Sequence, residues 1–410
     1  MVIKWIALLI VLLTLAYDLW LLKLAAKSEH NPIPENCRDV YDNEMYLKWK
    51  QYFSEKNRFS IVRTLVGTAA SFILLAVNAY AWAAEPFKEQ PFFAALAVLG
   101  FFLVVGALVD LPFAYRYTMG IEEKYGFNRT TKKTFWIDQI KNFLVEFILT
   151  GGLLCAFIAL HLWLGDWVLV LFAAVLFGFL LIGTFLYPFF AKLFNKFTPL
   201  EDGALKTRLV TMLEKYGYHV RDIKVMDASK RSSKANAYFT GFGKMKTIVL
   251  YDTLLESFTD DEICAVFAHE MGHGLHKDTL KAQGMSFLNV VLIVLFAWIH
   301  VKFPQIAESF GFDRVNYGFA VILLMQVEMA LISPLLGLFH AWMSRRHEFR
   351  ADAQAVAEGY GHALISGLKK LGRENYADLS PDPLLVQLTY DHPPLAARID
   401  AIERALQREP

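Results

Sequence analysis

Seven stretches of roughly twenty mostly apolar residues dominate the chain, centred on 4–22, 62–83, 91–111, 143–163, 166–187, 285–301 and 317–340. A helix rises about 1.5 Å per residue, so about twenty such residues cross the ~30 Å hydrocarbon core of a bilayer. Runs of this length therefore read as spanning helices. The fourth and fifth runs are separated by only a few residues around Gly165 and Asp166, as in a helical hairpin, and the sixth is the shortest. The expected fold class is a mainly α polytopic membrane protein.

With an odd number of spans the termini lie on opposite sides. Segments 23–61, 112–142, 188–284 and 341–410 then share the side of the C-terminus. Of the 41 Lys and Arg residues, only Lys4, Lys88, Lys302 and Arg314 fall on the other side. Basic loop residues near helix ends are retained in the cytoplasm, so the four long segments are expected in the cytosol and the N-terminus outside. Lys4 ahead of an apolar stretch also matches a signal peptide, whose removal would invert this arrangement; the poor cleavage pattern near Ala25-Ala26 argues against it. A net charge of +1 provides no field that would attract nucleic acid. Cys37, Cys155 and Cys264 show no C-x-x-C spacing, against a disulfide framework or a cysteine metal site.

The run pattern divides the chain into four parts: 1–190 with five spans, a polar segment 191–284, the two spans of 285–340, and a polar C-terminal part 341–410. In the second part, ALKTRLVTMLEKYGY has helical spacing, while IKVMD and KTIVLYD read as short strands. TDDEICAVFAHEMGHGLH reads as a helix whose Thr259 and Glu262 form a capping box. This is a small α+β unit.

Its helix carries HEMGH. His269 and His273, four residues apart, share one helix face, where two imidazole nitrogens can bind one zinc ion. Glu270 beside them is placed to take a proton from water and return it to a leaving amine. A catalytic zinc usually has three protein ligands and an open position, so a third ligand is needed. The residue six after His273 is Thr279, which rules out a third histidine there. Among downstream carboxylates, Glu328 lies within a span, Glu308 falls on the opposite side, and Glu374, Glu403 and Glu409 have no partnering pattern. Glu348 in SRRHEFRADA stands four residues before Asp352, a spacing that lets Glu348 ligate while Asp352 bonds the outer nitrogen of a ligand histidine. His276 and His347 read as supporting or surface groups. His392, followed by two prolines in YDHPPL, is either held towards a site or part of a turn.

From here the chain resembles the M48 metallopeptidases, and specifically the Ste24-type CAAX prenyl proteases. The stretches PENCRDVYDNEMYLKWKQYFSEKNRFSIV, IEEKYGFNRTT, LFNKFTPLEDGALK, KANAYFTGFG, EFRADAQA and DHPPLAAR look like that family's, in its order, over nearly the whole chain. The related four-span HtpX-type peptidases share the zinc elements but do not account for the N-terminal portion. The resemblance implies about seven membrane helices forming a barrel-like, water-filled chamber, with a small α+β zincin-type metallopeptidase domain on its cytosolic side. Glu146, Asn289, Gln326 and Glu328 at membrane depth are then expected to line the chamber or to bond between helices.

For the site, the resemblance implies Zn²⁺ on His269, His273 and Glu348 with Glu270 as base, in agreement with the spacing. It adds Asn236 to hold substrate backbone beside an edge strand, His392 to donate to the oxyanion, and Arg398 to brace the site with Asp352. The implied partners are the lipid bilayer and a peptide or protein substrate, prenylated at its C-terminus or otherwise hydrophobic. No retrieval signal is recognisable in ALQREP, which leans towards a bacterial inner membrane, with the endoplasmic reticulum as the alternative. Two other functions stay open: a quality-control protease of broad specificity, and a channel or scaffold with a structural zinc. Four protein ligands would mark the latter.

Overall fold

The computed structural model of the chain describes residues 2–234, 236–240 and 245–408. Part of KANAYFTGFG, namely Ala235 and residues 241–243, lies outside them. The first apolar runs form helices α1 (Val2–Ala26), α2 (Asn43–Ala76), α3 (Pro91–Arg116), α4 (Lys132–Leu164) and α5 (Val168–Phe194). The polar segment adds α6 (Ala204–Glu214) and α7 (Asp260–Leu275). Beyond it lie α8 (Asp278–Lys302), α9 (Tyr317–Leu323), α10 (Met329–Ala357), α11 (Gly361–Glu374) and α12 (Leu395–Leu406).

Among the described residues, 6 helices are long and apolar enough to cross a membrane: Val2–His30, Asn43–Ala76, Pro91–Glu122, Lys132–Leu164, Leu280–Lys302 and Tyr317–Ala357. The remaining expected span, 166–187, coincides with α5, of which Val170–Gly183 forms a shorter apolar helix. Leu108, Ile148 and Leu335 are exposed on these helices, as lipid-facing side chains are and as the surface of a soluble monomer rarely is. Close packing in the membrane relies on small residues: a Cβ on Gly318 would meet the Ala95 carbonyl oxygen at 2.2 Å, so only glycine lets α9 lie against α3. Two of the four polar residues expected at membrane depth bond between helices. Gln326 donates to Ser71 Oγ at 3.2 Å, and His300 Nε2 lies 2.9 Å from Glu328 Oε1. Both sit in the π-helical segment Leu324–Glu328 that joins α9 to α10.

The polar unit is built on a sheet of β1 (Phe197–Pro199), β2 (His219–Met226), β3 (Ala237–Thr240) and β4 (Met245–Tyr251), in the order β1-β2-β4-β3. β2 and β4 run parallel, the other pairs antiparallel, and β3 is an edge strand. The core beneath it joins Leu209 and Leu213 of α6, Ile248 and Leu250 of β4, Ala265, Ala268 and Met271 of α7 and Ala355 of α10. The capping box is present: Thr259 N–H donates to Glu262 Oε2 at 2.9 Å, and Glu262 N–H to Thr259 Oγ1 at 3.3 Å.

A further core ties the segment after α1 to the C-terminal part. Cys37, Val40, Tyr41 and Trp49 pack with Leu379 and Ile399, and Tyr41 donates to the carbonyls of Gly372 (3.0 Å) and Ala377 (2.8 Å). Residues far apart in sequence thus fix α12, which carries Arg398.

Candidate metal centre and its braces

Helical spacing sets His269 and His273 side by side on α7, with their Nε2 atoms 3.2 Å apart. Bringing in Glu348 requires α10 to cross α7 closely, and the third residue between the histidines' flanks allows it. A Cβ added to Gly272 of HEMGH would stand 2.9 Å from Ala351 Cα, so glycine at this position permits the approach. Glu348, three residues before Ala351, then places Oε1 3.2 Å from His273 Nε2 and Oε2 3.5 Å from His269 Nε2.

Those separations suit a single ion. Donors about 2.0–2.2 Å from a tetrahedral zinc stand about 3.3–3.6 Å from one another. The outer nitrogens make the same point. His269 Nδ1 lies 2.9 Å from Asp352 Oδ1 and His273 Nδ1 3.2 Å from Asp278 Oδ2. A carboxylate only accepts, so in neutral imidazoles each Nδ1 carries the proton and both Nε2 lone pairs face each other and Glu348. Three lone-pair donors converging without a proton between them fit a cation. Among the described residues this is the one group of three such donors close enough to share an ion.

Each brace is itself held. Asp352 receives Arg398 in a bidentate pair, Nη2 to Oδ1 at 2.6 Å and Nε to Oδ2 at 3.0 Å, and Arg398 Nη1 also lies 3.4 Å from Glu348 Oε2. Asp278 accepts from Arg350 Nη2 at 2.9 Å and Lys281 Nζ at 3.1 Å, with His347 Nε2 at 3.5 Å. Asp278 was not among the residues singled out from sequence. It reaches His273 because Lys277, with φ 56°, takes a left-handed turn between α7 and α8. The available signal was an acid five residues after His273 in HEMGHGLHKD.

His392 lies in the loop before α12, with Nδ1 2.8 Å from Glu348 Oε2 and its side chain 61% exposed. The approach lacks hydrogen-bond geometry, which leaves that buried oxygen without a bond of its own. Arg345 fixes the preceding backbone by donating to the carbonyls of Val386 (2.8 Å) and Tyr390 (2.6 Å). Proximity to Glu348 raises the His392 pKa above the ordinary histidine value. For His273 burial acts downwards, but the adjacent Glu348 carboxylate outweighs it and the net shift is upwards. Glu270 is partly exposed and borders a cleft with His273. Asn236 is tied to the neighbouring strand and to its own backbone: its carbonyl accepts from Tyr251 N–H of β4 at 3.1 Å and its Oδ1 from Ala237 N–H at 2.9 Å. It stands exposed at the start of edge strand β3, which packs against α7.

A helical membrane body carrying this donor set is that of an integral-membrane metallopeptidase. The comparisons give the family. Residues 199–406 match the model of peptidase family M48, and residues 23–196 match the CAAX prenyl protease N-terminal model with its five membrane helices. The chain belongs to peptidase family M48. It is 31% identical to CAAX prenyl protease 1 of Saccharomyces cerevisiae, covering 93% of this chain and 91% of that one. With the human CAAX prenyl protease 1 homolog it shares 29%, covering 92% and 89%. The crystal structure of S. mikatae Ste24p superposes with a TM-score of 0.90 at 29% identity, over 98% of this chain and 99% of that one. These relatives are eukaryotic and give the expected bacterial inner membrane no support.

Proposed function

We propose that this membrane metallopeptidase holds one zinc ion on His269, His273 and Glu348 and cleaves near the C-terminus of prenylated CAAX-type substrates. The observation that carries the reading is the set of three donors, 3.2–3.5 Å apart, beside the partly exposed carboxylate of Glu270. Zinc, when bound, acidifies a water to a pKa of about 7 and polarises the scissile carbonyl. Glu270 takes the proton of the attacking water and delivers it to the amine as the C–N bond breaks. His392 donates to the oxyanion, and Asn236 holds substrate backbone that pairs with edge strand β3. Asp352 and Arg398 keep His269 in its tautomer. Among the described residues the set holds three donors, which speaks against a structural zinc, which takes four.

The four-part division serves the same reading: 1–190 and 285–340 enclose a water-filled chamber, while 191–284 and 341–410 form the cytosolic zinc unit. Water then reaches the site through a protein-lined interior. Each buried lipid CH₂ contributes about 0.8 kcal/mol, so a prenyl chain among the helices dominates substrate affinity. The eukaryotic relatives favour the endoplasmic reticulum as the membrane.

The test uses purified full-length protein. E270Q keeps its zinc and loses turnover by about 10²- to 10⁴-fold, the range for a general base, whereas E348A loses zinc. A farnesylated CAAX peptide is cut after the modified cysteine and its unmodified twin poorly. Equal cleavage of both at scattered positions replaces this reading with that of a broad quality-control protease.

A further inference from the structure

Beside Glu270 and His273 a cleft of about 270 Å³ opens between the start of α8 and α10. Ala282 lines it from α8, and His347, Ser344 and His340 line it from α10. The last three are spaced as one face of a helix, so the cleft follows α10 away from the donor cluster. Seven residues from His347 to His340 rise about 10 Å. An extended peptide advances about 3.3 Å per residue, so three residues fill that length.

The chemistry of the cut says which three. Glu270 hands its proton to the departing amine, so the C-terminal fragment leaves past Glu270. The cleft is lined by Glu270 but not by His392 or Glu348. At the end near the donors Asp278 is already paired with Arg350 and Lys281, while the far end offers the imidazole of His340 and the hydroxyl of Ser344. A free carboxylate is met at that far end by hydrogen-bond donors.

We propose that this cleft is a C-terminal subsite in which His340 and Ser344 receive the terminal carboxylate of the substrate, three residues beyond the cut. The inference rests on the CAAX reading above and adds to it a ruler: the distance from Glu270 to His340 sets where the chain is cleaved relative to its end.

The experiment compares farnesylated peptides with two, three or four residues after the modified cysteine, each as free acid and as C-terminal amide, on the full-length protein. The three-residue acid is expected to have the highest kcat/KM. Amidation should raise KM about tenfold, the scale of one lost hydrogen bond to a charged group, and H340A should bring the acid-to-amide ratio close to one. S344A should lower that ratio less, and it stands as the second variant should H340A fold poorly. A ratio near one in the unaltered protein, a ratio that survives H340A and S344A, or equal kcat/KM for all three lengths overturns the subsite while leaving the CAAX reading intact. Failure to cleave any farnesylated peptide after its cysteine overturns both.

Discussion

The two histidines of HEMGH are chemically identical and four residues apart, yet the protein supports them in different ways. His269 is buried, and its brace Asp352 comes from α10 and is locked by Arg398 from α12. His273 is 23% exposed, and its brace Asp278 lies five residues further along the chain, where the membrane helix α8 begins. The first pair joins elements distant in sequence, so it is part of the tertiary core of the polar unit. The second is local and ties the donor cluster to the membrane body. A carboxylate behind an imidazole does the same chemical work in both cases, but its structural consequences depend on what holds the carboxylate.

The largest effect is expected on the buried side. D352A removes the acceptor behind His269 and strips Arg398, whose side chain is 11% exposed, of its bidentate partner. Removing one partner of a buried ion pair costs about 3–5 kcal/mol, and loss of such a brace weakens metal binding about 10- to 100-fold. Thermal unfolding of the metal-free protein and competition with a zinc chelator measure the two terms separately. Metal-free stability equal to that of the unaltered protein would remove the distinction between the two braces.

On the exposed side the two measurements should part company. D278A is expected to weaken zinc binding by about 10- to 100-fold as well. It should cost metal-free stability only about 1 kcal/mol or less, because Lys281 and Arg350, each 41% exposed, regain water. Zinc affinity unchanged in D278A would show that the bond to His273 does not orient the ring.

How much of this was legible before the fold was known follows the same division between local and tertiary causes. His269, His273 and the Thr259–Glu262 cap are read from spacing because helix geometry alone relates residues three and four apart. Glu348 was reached by eliminating other acids and by its four-residue spacing to Asp352, with no spacing rule to HEMGH, since its approach depends on α10 crossing α7 over Gly272. Asp278 was missed because a lysine at φ 56° carries no mark in the sequence. The second apolar run shows another limit. The sequence suggests a span over 62–83, whereas α2 begins at Asn43, capped by Asp42, and ends before Asn78 in the left-handed region. Its polar first half is helix without being membrane helix, and hydrophobicity registers only the part that faces lipid. Arg398 and Asn236 were found by family resemblance, since no spacing rule relates either to HEMGH.

The smallest effect concerns the far end of α7 and serves as a control for both braces. Glu262 caps that helix and also accepts from Ser366 Oγ at 2.6 Å, with Lys370 Nζ 3.4 Å away on α11. Burial acts to raise its pKa, but these bonds and the Thr259 N–H outweigh it and hold the carboxyl below its ordinary range. A depressed pKa means that the stabilisation is present above the unfolded value of about 4.3 and is lost as pH falls through the folded value. E262Q is therefore expected to cost about 1 kcal/mol at neutral pH, the usual size of a cap. The gap from the unaltered protein should close as pH drops below about 4.3. Zinc affinity at neutral pH should not move, because the cap lies at the opposite end of the helix from His273. A drop in zinc affinity as large as that of D278A would mean that α7 transmits strain along its length, and that the two braces are not the separate supports their contacts describe.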